Sequence, residues 1–183
     1  MSIPLLSKPE IHWALSKKII ILDNVLDSDV CDRLIEFGEK NVIQGVNKYP
    51  RQFQIKFHSC LLPLDTEVHN LLQPAWEKAI EQLQFDISFI EPYELKKYVA
   101  GNFFGKHIDN YYSITENLDR KITFSIQLNE GYDGGKMYVA NQEVTVNKGS
   151  AIIFPSNFLH EVRPVLSGTR WSLIGWAWGP YWR

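Results

Sequence analysis

The chain has 183 residues, 45% of them hydrophobic and 13% aromatic, and a formal charge of −2. That length suits one domain with a sizeable core, and the near-neutral charge excludes a protein that holds nucleic acid through a broad basic footprint. Cys31 and Cys60 form neither a disulfide framework nor a zinc-ligand spacing, no stretch approaches the roughly 20 apolar residues of a membrane span, and the start MSIPLLSKPEIHW lacks a leader pattern.

A reducing, cytoplasmic setting is therefore expected, with no membrane and no nucleic acid among the partners. Residues 18–23 (KIIILD) read as a short buried strand ended by Asp23-Asn24. Asp27 is a good N-cap for an amphipathic helix over 28–40, where Val30, Leu34 and Phe37 recur at helical spacing. Cys31 lies on that stripe and reads as a small core residue. From 44 to 59 a loop leads into a strand, with Lys48, Arg51, Lys56 and His58 alternating with Tyr49, Phe53, Ile55 and Phe57. The segment 45–58 reads equally as a substrate lid or as a solvated hairpin edge. Residues 66–84 carry apolar side chains at i, i+3, i+4 and i+7 over four turns. Pro74 in the middle predicts a kink or a break into two helices, and His69 is expected on the helix surface.

Beyond Phe85 the pattern turns to strands: 87–90, 93–99, 120–129, 137–139, 144–146, 150–154 and 170–178, with residues 110–119 as a connection. In 120–129, Ile122, Phe124, Ile126 and Leu128 alternate with Thr123, Ser125 and Gln127. The polar set faces either bulk solvent or a wet interior pocket. Short strands with glycine turns after a helical third predict a mainly β, α+β fold with helices packed on one sheet. No repeat or linker divides it, so 1–183 reads as a single domain: helical support over about 1–85 and a β core over about 86–183.

The stretch Tyr98-Val-Ala-Gly-Asn-Phe-Phe-Gly-Lys-His107-Ile-Asp109-Asn sets a His and an Asp two residues apart. On a strand, i and i+2 share a face, so both side chains can aim at one point. Together they are two-thirds of the 2-His-1-carboxylate triad of non-haem Fe(II) oxygenases, though a lone His-x-Asp is weak evidence. A third candidate, His160, sits in Pro155-Ser-Asn-Phe-Leu-His160-Glu-Val-Arg-Pro, at the end of a buried strand. Arg170 opens the last strand and is expected beside His160 across the intervening turn. A buried guanidinium needs an anion. The anion is either a ligand carboxylate, held by two parallel hydrogen bonds, or an acid elsewhere in the fold.

These residues carry a resemblance. Tyr98-x-x-Gly101-x-x-Phe104-Gly105-x-His107-x-Asp109-Asn110, Arg120-x-x-Thr123 to Leu128-Asn129, Tyr132-x-Gly134-Gly135, Phe154-Pro155-Ser156 and His160-Glu-Val-x-Pro164 with Arg170 resemble Fe(II)/2-oxoglutarate-dependent dioxygenases. Within them the match is to the prolyl 4-hydroxylase-like branch with its bacterial PKHD-type hydroxylases. The resemblance covers nearly half the chain, and Val25 to Ile35 also looks like that family's first helix. It implies a double-stranded β-helix, or jelly roll, with His107, Asp109 and His160 binding Fe(II). It further implies that 2-oxoglutarate chelates the iron, with its 5-carboxylate held by Arg170 and helped by Tyr98. Thr123 and Gln127 are expected to line the same cosubstrate site. O2 would take the remaining position, and ascorbate would serve as reductant. Three protein ligands on one face leave the three positions that such chemistry needs.

The implied activity is hydroxylation of a C–H bond, with 2-oxoglutarate going to succinate and CO2, on a prolyl or other residue of a protein or peptide. Retention of Asp109 favours hydroxylation over halogenation, because related halogenases lack that carboxylate. Gln127 stands where animal oxygen-sensing prolyl hydroxylases have a Tyr, and Arg170 where collagen-type enzymes have a Lys. A hydroxylase of a free amino acid or small metabolite is one alternative, and a non-catalytic cupin- or lectin-like binding module is another. The expected assembly is a monomer or homodimer.

Overall fold

A computed structural model describes residues 17–41, 55–62, 66–113 and 115–181. Two helices, α1 (Ser28–Asn41) and α2 (Thr66–Leu83), interleave with strands β1 (Ile20–Leu22), β2 (Ile55–Lys56) and β3 (His58–Leu61). Strands β4 (Phe89–Ile90), β5 (Glu94–Val99), β6 (Phe103–His107), β7 (Tyr112–Ser113) and β8 (Leu118–Gln127) follow. After them come β9 (Asp133–Gly134), β10 (Met137–Val139), β11 (Gln142–Val144), β12 (Ala151–Pro155), β13 (His160–Val162), β14 (Val165–Ser167) and β15 (Thr169–Pro180). An eight-stranded sheet runs in the order β1-β12-β8-β15-β5-β3, with β4 on β15 and β7 on β8. A five-stranded sheet runs β11-β10-β13-β6-β2, and β14 pairs with β9. The two facing sheets make the expected jelly roll.

The long central strands β8 and β15 show why. Their alternation gives the large sheet two different buried faces. Ile122, Phe124 and Ile126, with Trp171, Leu173 and Ala177, join Leu34, Leu72, Trp76 and Ala79 of the helices in one apolar core. The helices therefore cover one sheet, as expected. Gly38 lets α1 sit flush on it, since a Cβ there would lie 2.5 Å from the Trp171 ring. The opposite face carries Thr123, Ser125, Gln127, Arg170 and Ser172, all buried. The polar set of β8 thus faces the space between the sheets and not bulk solvent.

Several boundaries differ from expectation for local reasons. Among the described residues β1 is an edge strand that pairs with β12 alone, so Ile20 and Leu22 are buried while Ile21 is 49% exposed. Helix α2 passes through Pro74 as one element. Val68, Leu72, Ala75, Trp76, Ala79 and Leu83 on both sides of it bury into the same core, which outweighs the lost backbone bond. His69 is half-buried beside it, with Nδ1 3.3 Å from the Tyr93 hydroxyl. Ala140 and Asn141 both have positive φ and form a two-residue turn that pairs Val139 with Gln142, so β11 starts before the expected residue 144. Residues 110–119 contain β7, which folds back on Leu118 and Asp119. Of the candidate lid, residues 45–54 lie outside the described residues. Its end forms β2, laid along β6.

Cys31 is fully buried, and burial pushes its thiol up to about 11. The thiol stays protonated near neutrality, so it is expected to resist a thiol-specific reagent at pH 8 until denaturant is added. Because the folded value lies above the unfolded one, its contribution to stability is complete below pH 9 and is lost as pH rises toward about 11. Denaturant midpoints across that range check the sign.

Candidate metal centre

His107 closes β6 and His160 opens β13, and the two are direct partners across the antiparallel pair. Their ring centroids lie 4.1 Å apart. Asp109 is not on the strand with His107. It lies two residues beyond the end of β6, where its N–H donates to the Ser156 carbonyl at 2.8 Å, just past β12. The chain therefore crosses from the small sheet to the large one at this point. Alternation alone does not place the carboxylate; the backbone bond to Ser156 does. Nε2 of His107 is 3.4 Å from Asp109 Oδ1, and Nε2 of His160 is 3.4 Å from Oδ2. One donor atom from each residue falls within 4.8 Å of the other two.

The surroundings fix the protons as a metal site requires. His107 Nδ1 lies 2.8 Å from the Gly105 carbonyl, and His160 Nδ1 lies 2.9 Å from the Phe158 carbonyl. A carbonyl only accepts, so each Nδ1 carries the proton and each Nε2 presents a lone pair to the shared point. Phe104 stacks on His107 at 3.5 Å, and Phe154 meets His160 edge-on at 4.9 Å, which clamps both rings. Burial lowers the affinity of His107 for a second proton, and the neighbouring His160 adds to this, overriding the pull of Asp109. Burial alone would raise the Asp109 carboxyl, but a proton on the facing Nε2 of His160 or His107, in the place a metal would take, holds it well below the usual carboxylate range. Two ligand atoms about 2.1 Å from one ion and at right angles to each other are roughly 3 Å apart. Two neutral imidazoles and one carboxylate at this spacing fit a divalent ion that keeps open positions.

Arg170 stands on the large sheet, paired with Tyr98 of β5, not on a strand next to His160. The turn expected to join them holds β14, which pairs with β9, so His160 and Arg170 face the interior from opposite sheets. Arg170 is 3% exposed. Its Nη1 donates to Ser172 Oγ at 3.3 Å, and its Cζ lies 5.4 Å from the Tyr98 ring centre. No carboxylate among the described residues pairs with it. Gln127 pairs with Ser172 in the sheet, and its side-chain amide donates to the Asn129 and Trp171 carbonyls at 2.7 and 3.3 Å. Thr123 Oγ1 donates to Asp109 Oδ2 at 2.9 Å, and Ser156 Oγ lies 3.0 Å from it.

Three further side chains of the interior carry no site role in the sequence reading. Trp176 donates its indole N–H to Asp109 Oδ2 at 2.9 Å. Phe104 supplies the ring under His107. Lys96 is 6% exposed, with its ammonium 3.4 Å from Glu94 and over the rings of Phe57, Phe104 and Trp176 at 4.4, 5.2 and 5.6 Å. All three were within reach of the strand period. Trp176 shares the face of Arg170 at i+6, and Lys96 shares that of Tyr98 at i−2.

A sequence model described as the 2OG-Fe(II) oxygenase superfamily matches residues 93–178. A PKHD-type hydroxylase of Shewanella baltica (strain OS155 / ATCC BAA-1091) is 32% identical over 114 residues, which span 58% of this chain and 49% of the relative. PKHD-type hydroxylase PMT9312_1262 of Prochlorococcus marinus (strain MIT 9312) is 34% identical over 77 residues, 40% of this chain and 35% of the relative. The chain thus matches half or less of the length of these two relatives. Among solved structures, the viral collagen prolyl hydroxylase of Paramecium Bursaria Chlorella virus-1 aligns with a TM-score of 0.70 at 19% identity. That alignment covers 88% of this chain and 96% of the viral one. A 2OG-Fe(II) oxygenase domain implies Fe(II), 2-oxoglutarate and O2, and the cluster of His107, Asp109 and His160 could hold the metal.

Proposed function

With a 2OG-Fe(II) oxygenase domain as its premise, we propose that the chain is an Fe(II)- and 2-oxoglutarate-dependent hydroxylase of a prolyl or other residue in a protein or peptide. The observation that carries this reading is the buried Arg170 without an acidic partner among the described residues, in the same interior as the three-residue donor cluster. Leaving a guanidinium buried and unpaired is costly, and a dicarboxylate with one end on the metal brings its other end as the missing anion.

His107, Asp109 and His160 hold the ion. When bound, Fe(II) supplies the redox chemistry that puts one atom of O2 into the substrate C–H bond and the other into succinate, with CO2 released. The protein's own share is binding and orientation. Gly105 and Phe158 fix the imidazole tautomers, Arg170 takes the 5-carboxylate beside Tyr98, and Phe104 and Phe154 keep the ligand rings from turning. Gln127 commits its amide donors to backbone carbonyls and lines the cosubstrate pocket without a hydrogen bond to 2-oxoglutarate, whose oxygens only accept. Thr123 serves the site through Asp109. Ascorbate would act as an external reductant.

A peptide substrate is supported by the PKHD-type relatives and by the fold shared with a collagen prolyl hydroxylase. A reducing, cytoplasmic setting fits the two free thiols. The test is incubation of the purified chain with Fe(II), 2-oxoglutarate, ascorbate and Pro-containing peptides, read by mass spectrometry. Gain of one oxygen atom on a prolyl residue, matched by succinate, is expected. Oxygen gain only on free amino acids or metabolites would reject the peptide substrate, and no 2-oxoglutarate turnover with any of them would reject the activity.

A further inference from the structure

We propose that Trp176 is a positioning residue that keeps Asp109 bound to the metal through one oxygen, and that the Glu91–Arg120 pair locks its indole in place. The proposal rests on the reading of His107, Asp109 and His160 as the metal ligands.

Asp109 Oδ2 accepts two hydrogen bonds, from Trp176 Nε1 and Thr123 Oγ1, both at 2.9 Å. Each oxygen has one ligand nitrogen 3.4 Å away, His107 Nε2 from Oδ1 and His160 Nε2 from Oδ2, so the two hydrogen bonds are what set Oδ2 apart. A carboxylate free to rotate can chelate an ion through both oxygens and so occupy two coordination positions. Tying both lone-pair directions of Oδ2 to fixed donors removes that option. The distinction matters because the ligand set leaves three positions, and a chelating carboxylate would take one of them. Thr123 alone would not suffice, because its hydroxyl has a second partner in Ser156 at 3.0 Å and can turn toward it. An indole N–H on a ring buried to 6% exposure has no such freedom.

The indole is itself braced. Arg120 donates two bonds to Glu91, Nε at 2.6 Å and Nη2 at 2.9 Å, and its Cζ lies 4.0 Å from the Trp176 ring centre. Trp178 also donates its indole N–H to Glu91. The planar guanidinium thus lies over Trp176 and is fixed by a forked ion pair, which is the geometry that suits Arg and not Lys. The chain of contacts runs from Glu91 on one side of the sheet to the oxygen that must stay off the metal.

The experiment is titration of the metal-free chain with Mn(II) and Co(II), followed by calorimetry and by the visible spectrum of the Co(II) form. Trp176→Phe keeps the ring and removes the N–H. Loss of a partner that orients a metal ligand weakens metal binding by about 10–100-fold. We expect that loss in Mn(II) affinity and a changed Co(II) spectrum as Asp109 chelates, with the metal-free variant still melting cooperatively. Glu91→Gln, away from the ligands, is expected to shift affinity and spectrum in the same direction by less. In the Trp176→Phe background it is expected to add nothing, because both act through one hydrogen bond. Wild-type affinity and spectrum in Trp176→Phe, with His107→Ala defective, overturn the proposal and leave the ligand assignment standing. Stoichiometric metal in His107→Ala overturns the ligand assignment itself. If Trp176→Phe does not fold, Glu91→Gln decides, and no change there overturns the bracing.

Discussion

His107→Ala is expected to abolish tight metal binding and reduce 2-oxoglutarate turnover to background. The substitution removes one of three donors and the ring contact of His107 with His160 across the two strands. Losing an outer partner of a ligand already costs roughly 10–100-fold in affinity, so losing the ligand itself is expected to exceed about 100-fold. The deletion also strands the remaining groups. Asp109 and His160 are then the two donors left, too few to hold an ion in a fixed geometry. Calorimetric titration with Mn(II), together with succinate formation under Fe(II), checks both halves. The fold should survive, because His107 lies at the end of β6 and is absent from the apolar cores.

Arg170→Ala is expected to raise the KM for 2-oxoglutarate while leaving metal affinity close to that of the unsubstituted chain. Removing one partner of a buried charge pair costs about 2–5 kcal/mol, or roughly thirty- to several-thousand-fold in apparent affinity. Arg170→Lys should recover part of that, since it restores the charge but not the fork. A second consequence has the opposite sign. Without cosubstrate the guanidinium is buried and, among the described residues, has Ser172 Oγ as its one hydrogen-bond partner, so an apolar residue of similar length avoids a desolvation cost in the folded state. Arg170→Met is therefore expected to melt no lower than the unsubstituted chain in the absence of 2-oxoglutarate, and to lose the thermal shift that 2-oxoglutarate produces. A purely structural Arg170 would behave in the reverse way: a large drop in melting temperature and an unchanged KM.

The sequence made the main features of the fold legible because they rest on strong periodicity. The alternation of 120–129 predicted a two-faced strand, and the helical stripe of 66–84 predicted a helix that starts where α2 does and ends one residue beyond it. What it could not supply was decided by non-local pairing. Pro74 argued for a break that packing of Leu72, Trp76 and Ala79 on one core prevents. His160 and Arg170, ten residues apart, looked like neighbours across a turn, but β14 intervenes and sends them to opposite sheets. Asp109 was singled out by strand spacing, whereas a backbone bond to Ser156 places it. The groups that serve the ligands from behind, the Trp176 indole and the Gly105 and Phe158 carbonyls, are not revealed as such by any motif. Backbone acceptors are invisible to residue type, and a Trp in a hydrophobic strand reads as core until its N–H is seen to have a partner.

Anaerobic titration of the purified, metal-free chain with Fe(II) and then 2-oxoglutarate tests the ligand and anchor assignments together. Chelation of Fe(II) by the keto acid gives a visible charge-transfer absorption that neither component gives alone. The expected result is that absorption at one Fe(II) and one 2-oxoglutarate per chain, absent in His107→Ala and shifted to much higher 2-oxoglutarate concentration in Arg170→Ala. No absorption from the unsubstituted chain, or the same absorption from His107→Ala, would contradict the assignment of His107, Asp109 and His160 as the iron site.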